Sequence, residues 1–160
     1  MEKYSKLKQR IRENLDTFDV DNGCSLENLL LAEKELGLTF PEDYRQFLLD
    51  FANLAAGPHE IYGIIENNFY GKGIPNGIWL TLSERKEFNL PSYLIVVSDG
   101  GLGDYFCLNY KKLNAKGVPM VTSYYPGYDE SVQTHEVIAE SFEDFLEQIV
   151  NETLEDYLDN

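Results

Sequence analysis

Apolar residues in the first third of the chain recur at helical spacing. Tyr4, Leu7, Ile11 and Leu15 fall on one side of a helix predicted over Lys3 to Leu15. Asp16 to Gly23 follows as an acidic connector. Leu29, Leu30, Glu33 and Leu36 then define a second helix, with Ser25 placed to cap its free N–H groups and Gly37 to end it. Tyr44, Phe47, Leu48 and Phe51 stand at i, i+3, i+4 and i+7 of a third helix, Pro41 to Asn53. Its start is strongly specified. Pro41 suits a first helical position, where a missing N–H costs nothing, and Glu42 and Asp43 put negative charge on the positive end of the helix dipole. Gly57-Pro58 closes that helix off.

Strand character then takes over. Glu60-Ile61-Tyr62-Gly63-Ile64 is short and rich in β formers. Asn67 to Gly77 is a glycine- and asparagine-rich loop with Phe69 and Tyr70 inside it. Trp79 to Lys86 has mixed character and reads best as a helix ending before Pro91. Tyr93 to Ser98 and Tyr105 to Tyr110 are expected to pair across a turn at Asp99–Asp104. Pro119 to Tyr125 is a further strand, and Val132 to Ala139 holds another. Ser141, with Asp144 three residues on, resembles a capping box and opens a long helix buried through Phe142, Phe145, Leu146, Ile149 and Leu154. Runs of helices followed by runs of strands predict an α+β fold. No repeat or linker divides the sequence, so a single domain over residues 1–160 is expected. Its core is expected at Leu29, Leu36, Tyr44, Phe47, Leu48, Phe51, Ile95, Val97, Phe106, Leu108, Val121, Phe142, Phe145 and Ile149.

The helix pair "LENLLLAEKELGLTFPEDYRQFLL" resembles the N-terminal signature of the SUKH superfamily. Ile95-Val96-Val97-Ser98-Asp99-Gly100-Gly101-Leu102-Gly103-Asp104-Tyr105-Phe106-Cys107-Leu108 is similar to its central strand, glycine–acidic turn and strand. The entry to the last helix, Ile138 followed by Ser141-Phe142-Glu143-Asp144-Phe145-Leu146, completes the likeness across roughly residues 25–150. The resemblance implies a largely antiparallel sheet packed against the N-terminal helices and a long C-terminal helix. It also implies a protein-binding role, since the superfamily includes Smi/Knr-type cell-wall regulators of fungi and many bacterial immunity proteins.

Charge narrows the choice of partner. The chain of 160 residues carries a net charge of −15 with a pI near 4.4. Residues 1–14 hold five Lys/Arg against two acids, so they are +3 and the remainder carries −18. From Glu140 onward there are eight acids and no basic residue. Such a surface repels nucleic acid and anionic membranes and attracts basic proteins, although acidity also serves plain solubility. The lysines near the N-terminus precede no apolar run, so no signal peptide is expected and the predicted location is cytoplasmic. Cys24 and Cys107 lie far apart, as reduced structural thiols would.

Little in the sequence points to catalysis. Asp99-Gly-Gly-Leu-Gly-Asp104 lacks the following helix that a phosphate loop needs, and it is too incomplete for a calcium loop. It reads as a glycine turn between strands or as a partner-facing acidic loop. In Asp19 to Gly23, calcium-loop numbering would put Phe18 and Leu29 at ligand positions, which excludes it. His59 and His135 are the only imidazoles, and neither sits in a nucleophile motif. A chance carboxylate pair is invisible in sequence. The expectation is a protein that is not an enzyme and takes no cofactor and no metal.

Tyrosines offer a better lead. Tyr124-Tyr125-Pro126-Gly127-Tyr128-Asp129-Glu130 puts three tyrosines and two acids around a turn, with Tyr124 and Tyr125 pointing to opposite faces. Tyrosine suits binding surfaces because it buries area while keeping a polar tip. The candidate partner-binding residues are Tyr70, Trp79, Asp99, Asp104, Tyr128, Asp129 and Glu130. The expected function is that of an immunity protein neutralising a cognate toxin domain, a basic protein of nuclease type. The alternative is a regulatory or scaffolding module of the Smi/Knr kind.

Overall fold

Seven strands lie side by side in chain order, every neighbouring pair antiparallel, in a computed structural model that describes residues 2–65 and 76–159. The elements run α1 (Glu2–Arg12), β1 (Asp19–Val20), α2 (Leu26–Leu36), α3 (Glu42–Asp50), β2 (Leu54–Ala56), β3 (His59–Ile61) and α4 (Gly77–Phe88). They continue with β4 (Leu94–Asp99), β5 (Tyr105–Leu113), β6 (Pro119–Tyr124), β7 (Val137–Ala139) and α5 (Phe142–Asp159). The fold is α+β, as the order of periodicities predicts.

Alternation along β4 divides the interior in two. Ile95 and Val97 face a large core with Leu108 and Val121, packed under Tyr44, Phe47, Phe142, Phe145 and Ile149 from α3 and α5. Leu94 and Val96 face the opposite way, onto a smaller cluster with Cys107, Tyr124 and Leu80 of α4. The aromatic contacts concentrate on the first face. The Tyr44 and Phe142 rings meet edge-on at 4.8 Å, and Phe47 and Phe142 at 5.2 Å. All the expected core residues are buried except Phe106, which is partly so.

The helix caps follow the sequence closely. Ser25 Oγ accepts the Asn28 N–H at 3.1 Å, and Gly37 takes φ 72 with its N–H on the Glu33 carbonyl. Ser141 Oγ accepts the Asp144 N–H at 3.1 Å. The other half of the expected capping box is built differently. Asp144 turns away to Lys3, 2.5 Å distant, and Asp43 supplies the second acceptor, taking the Glu143 N–H at 3.0 Å and its neighbour Tyr44's at 2.8 Å. One buried carboxylate thus serves the N-termini of both α3 and α5. Burial raises the pKa of Asp43 even so, against these two N–H donations.

Several boundaries differ from expectation, the following most instructively. The first helix stops at Arg12, where Asn14 Nδ2 donates back to the Arg10 carbonyl at 2.8 Å and leaves Leu15 57% exposed. Pro41 is the residue before α3 rather than its first turn, with ψ 153. The third helix ends at Asp50 and not Asn53, because Ala52 swings to φ 64 and sends the chain into β2. Gly57-Pro58 is accordingly the turn of the β2–β3 hairpin, and the acidic connector contains β1, which pairs with β2.

Candidate binding surface

On its second face the sheet is covered by α4, and beyond α4 by a strip of tyrosines. Asn76 starts α4 by accepting the N–H groups of Ile78 (3.1 Å) and Trp79 (3.2 Å). Asn89 ends it in the left-handed region at φ 58. Arg85, in the last turn, donates to the carbonyls of Leu36 (2.7 Å) and Ser92 (2.9 Å), which ties α4 to α2 and to the approach to β4. Tyr105 donates its hydroxyl to Glu84 at 3.0 Å. Burial keeps Glu84 above the ordinary carboxylate range, with the Tyr105 bond working against it.

The connection from β6 to β7 folds back across this face. Tyr93 donates its hydroxyl to Glu130, and His135 Nε2 lies 2.7 Å from the same carboxylate oxygen. Lys111 Nζ stands 4.3 Å from the centroid of the Tyr93 ring. Burial opposes the charge on Glu130, but the bonds from Tyr93 and His135, with Lys111 nearby, hold its carboxyl below the usual range. Burial and that same carboxylate push the Tyr93 phenol up, so it remains a donor. Gln133 closes the loop on itself: Oε1 accepts the Tyr125 N–H at 2.9 Å, and Nε2 donates to the Tyr125 carbonyl at 2.7 Å.

Between the end of α4 and this connection lies an open cavity of about 390 Å³. Glu87, Phe88, Tyr124, Tyr128, Asp129 and Glu130 are in its walls. Tyr124 is buried as a floor, while Tyr128 is 65% exposed and Phe88 55%. Tyr124 and Tyr125 part company as expected, one inward and one partly in solvent.

The structure separates the residues singled out from sequence. Tyr128, Asp129 and Glu130 share the cavity just described. Trp79 is partly buried against the small cluster under α4. Asp99 is exposed but lies on the α5 side, in a cleft of about 240 Å³ with His59, Phe145, Gln148 and Glu152. Asp104 is a correction: it is only 5% exposed, its carboxylate accepting the Leu102 N–H at 3.2 Å inside the β4–β5 turn. The glycines of that turn let the acid fold inward rather than face a partner. Tyr70 lies outside the described residues. Tyr93, Gln133 and His135 organise the surface without having been singled out for it. Their one sequence signal is an aromatic–acidic turn long enough to double back.

His59 pairs with Glu152 at 3.1 Å and His135 with Glu130. Burial pushes the thiols of both Cys24 and Cys107 up, away from the nucleophilic form. Among the described residues, no group of three or more His, Cys, Asp or Glu side chains gathers to hold a metal ion, and no helix is long and apolar enough to cross a membrane.

Comparison with known proteins agrees with the fold. The chain is similar to a protein from Pseudomonas syringae pv. tomato, seen in a crystal structure. The TM-score is 0.64 at 15% identity, over 91% of this chain and 96% of that one. At such identity the likeness concerns architecture alone. Residues 26–146, from α2 into the first turns of α5, match the family model SUKH_6, described as SMI1-KNR4 cell-wall. The helix pair, the glycine–acidic turn and the entry to α5 all fall within that match, and the chain belongs to the SUKH family.

Proposed function

We propose that this is an immunity protein that binds and neutralises a cognate toxin domain, a basic protein of nuclease type. SUKH proteins bind partner proteins, toxins among them. The observation that carries the choice of partner is charge: −15 in all, and −18 once the first fourteen residues are set aside. A nuclease must carry positive charge to hold phosphates. An acidic inhibitor is therefore steered toward it and competes for the same cationic groups. Tyrosines on the face that α4 leaves open supply contact area with polar tips.

Co-expression with a nuclease-type toxin domain, sought among the neighbouring genes, tests the reading. The expected result is survival of the host and a stable complex, with an association rate that falls as salt is raised. Survival without a complex, or no protection at all, overturns it. The cell-wall description of the matched family favours a second reading, a regulatory or scaffolding module of the Smi/Knr kind. That reading gains if no toxin is encoded nearby and the protein instead recovers a basic cellular partner.

A further inference from the structure

The cavity at the end of α4 has the walls of a cation site and no cation of its own. Glu87 and Asp129, both in its lining, are exposed, and neither side chain takes part in a hydrogen bond or ion pair among the described residues. Asp129 precedes the short turn of helix Glu130–Val132, where an acid ordinarily caps, yet its carboxylate caps nothing. Phe88 and Tyr128 present largely exposed rings. The last turn of α4 forms one wall, so the negative end of its dipole lies alongside. Among the described residues, no Lys, Arg or His lines the space. Of the basic groups nearby, Arg85 is committed to backbone carbonyls, Lys111 to the Tyr93 ring and His135 to Glu130, while Lys86 is exposed beside Glu87 on α4 without lining the space.

We infer that this cavity receives an arginine side chain of the protein partner. A guanidinium is flat, stacks on aromatic rings and can offer two parallel N–H donors to a carboxylate. Exposed rings and unpaired carboxylates lining one cavity fit that group better than the compact, strongly hydrated ammonium of lysine. Glu130 adds negative potential but is already held by Tyr93 and His135, so Glu87 and Asp129 make the direct contacts. The assignment rests on the protein-binding reading above and names the residue type that this part of the surface recognises.

A titration followed by NMR tests it without the toxin. The probes are N-acetyl-arginine amide, its uncharged citrulline counterpart and N-acetyl-lysine amide. The arginine probe is expected to give saturable shifts confined to residues 87–91 and 124–130, in the millimolar range suited to one exposed side chain. Citrulline gives none, and lysine binds more weakly. The double variant Glu87→Gln/Asp129→Asn weakens the arginine response by about tenfold or more while its melting temperature stays close to that of the parent. Tyr128→Ala weakens it as well, which separates ring stacking from bulk charge. Shifts that spread over the acidic surface without saturating overturn the assignment, as does an equal response to lysine or an unchanged response in the double variant. The two levels of the argument fail separately. If the double variant still neutralises a toxin as well as the parent, the arginine site is wrong and the immunity role stands. If the probe binds but no toxin is neutralised, the role is wrong and the site stands.

Discussion

The β4–β5 and β6–β7 turns are both acidic, both glycine-containing and both at the same end of the sheet, where Tyr105 pairs with Tyr124, yet they use their carboxylates in opposite ways. In the first, Asp99 accepts the Gly101 N–H at 2.7 Å and Asp104 accepts that of Leu102 at 3.2 Å. Both acids are spent on the turn's own backbone. In the second, the backbone is satisfied by Gln133 and by the Glu130–Val132 helical turn, and Asp129 is left over. Whether an acid is left free in solvent therefore depends on who else satisfies the N–H groups around it. Local sequence charge does not decide the matter. The first turn spends its acids on its own architecture, and the second leaves one in solvent.

Breaking the first turn should have the largest effect. A Cβ at Gly100 would fall 2.2 Å from Asp104 Oδ1, so Gly100→Ala must evict the buried carboxylate. Asp104→Ala removes the same acceptor and leaves the Leu102 N–H unpaired. Each change is expected to lower stability by about 1–3 kcal/mol in urea unfolding. The two act on one contact, so the double variant should cost little more than either alone. Additive losses would show that Asp104 stabilises the turn by some other route.

Unlatching the second turn should cost less. Tyr93→Phe removes the donor to Glu130, whose side chain is about half exposed (51%), and solvent screening limits the loss to about 1 kcal/mol or below. The pH dependence has a definite sign. The folded pKa of Glu130 lies below its usual 4.5, so the contribution of this bond is complete above that value and is lost as pH falls through the lowered one. The stability gap between parent and Tyr93→Phe should stay flat near neutrality and close on acidification. A gap that widened toward low pH would mean that the bond favours protonated Glu130.

How far the sequence foretold all this varies with the range of the interaction. Ser25, Gly37, Ser141 and the apolar faces of α2, α3 and α5 act within a turn or two of themselves, and their spacing announces them. β1 and β2 are two and three residues long, too short to show a period, and they exist because each pairs with a neighbour. The shared cap at Asp43 joins residues a hundred positions apart, and the Tyr93–His135 contact spans forty-two. Tyr128, Asp129 and Glu130 were legible as a group because they are adjacent. The opposite fates of Asp104 and Asp129 were not, since both are acids beside glycine and tyrosine in a turn.

Asp129→Asn should disturb the molecule least and sharpen the contrast most. Its carboxylate caps no helix and makes no bond among the described residues, so the stability change should lie within about 0.5 kcal/mol. Asp99→Asn, by comparison, weakens an acceptor that the β4–β5 turn uses. In binding to a basic partner the order should reverse. Asp129→Asn slows association at low salt, and the difference fades as ionic strength rises and the Debye length contracts. Asp99, facing the α5 side, should leave the rate nearly unchanged. Surface plasmon resonance of the two variants at several salt concentrations checks both halves. If Asp99→Asn slows association as much as Asp129→Asn, the partner responds to overall charge and the two turns are functionally alike after all.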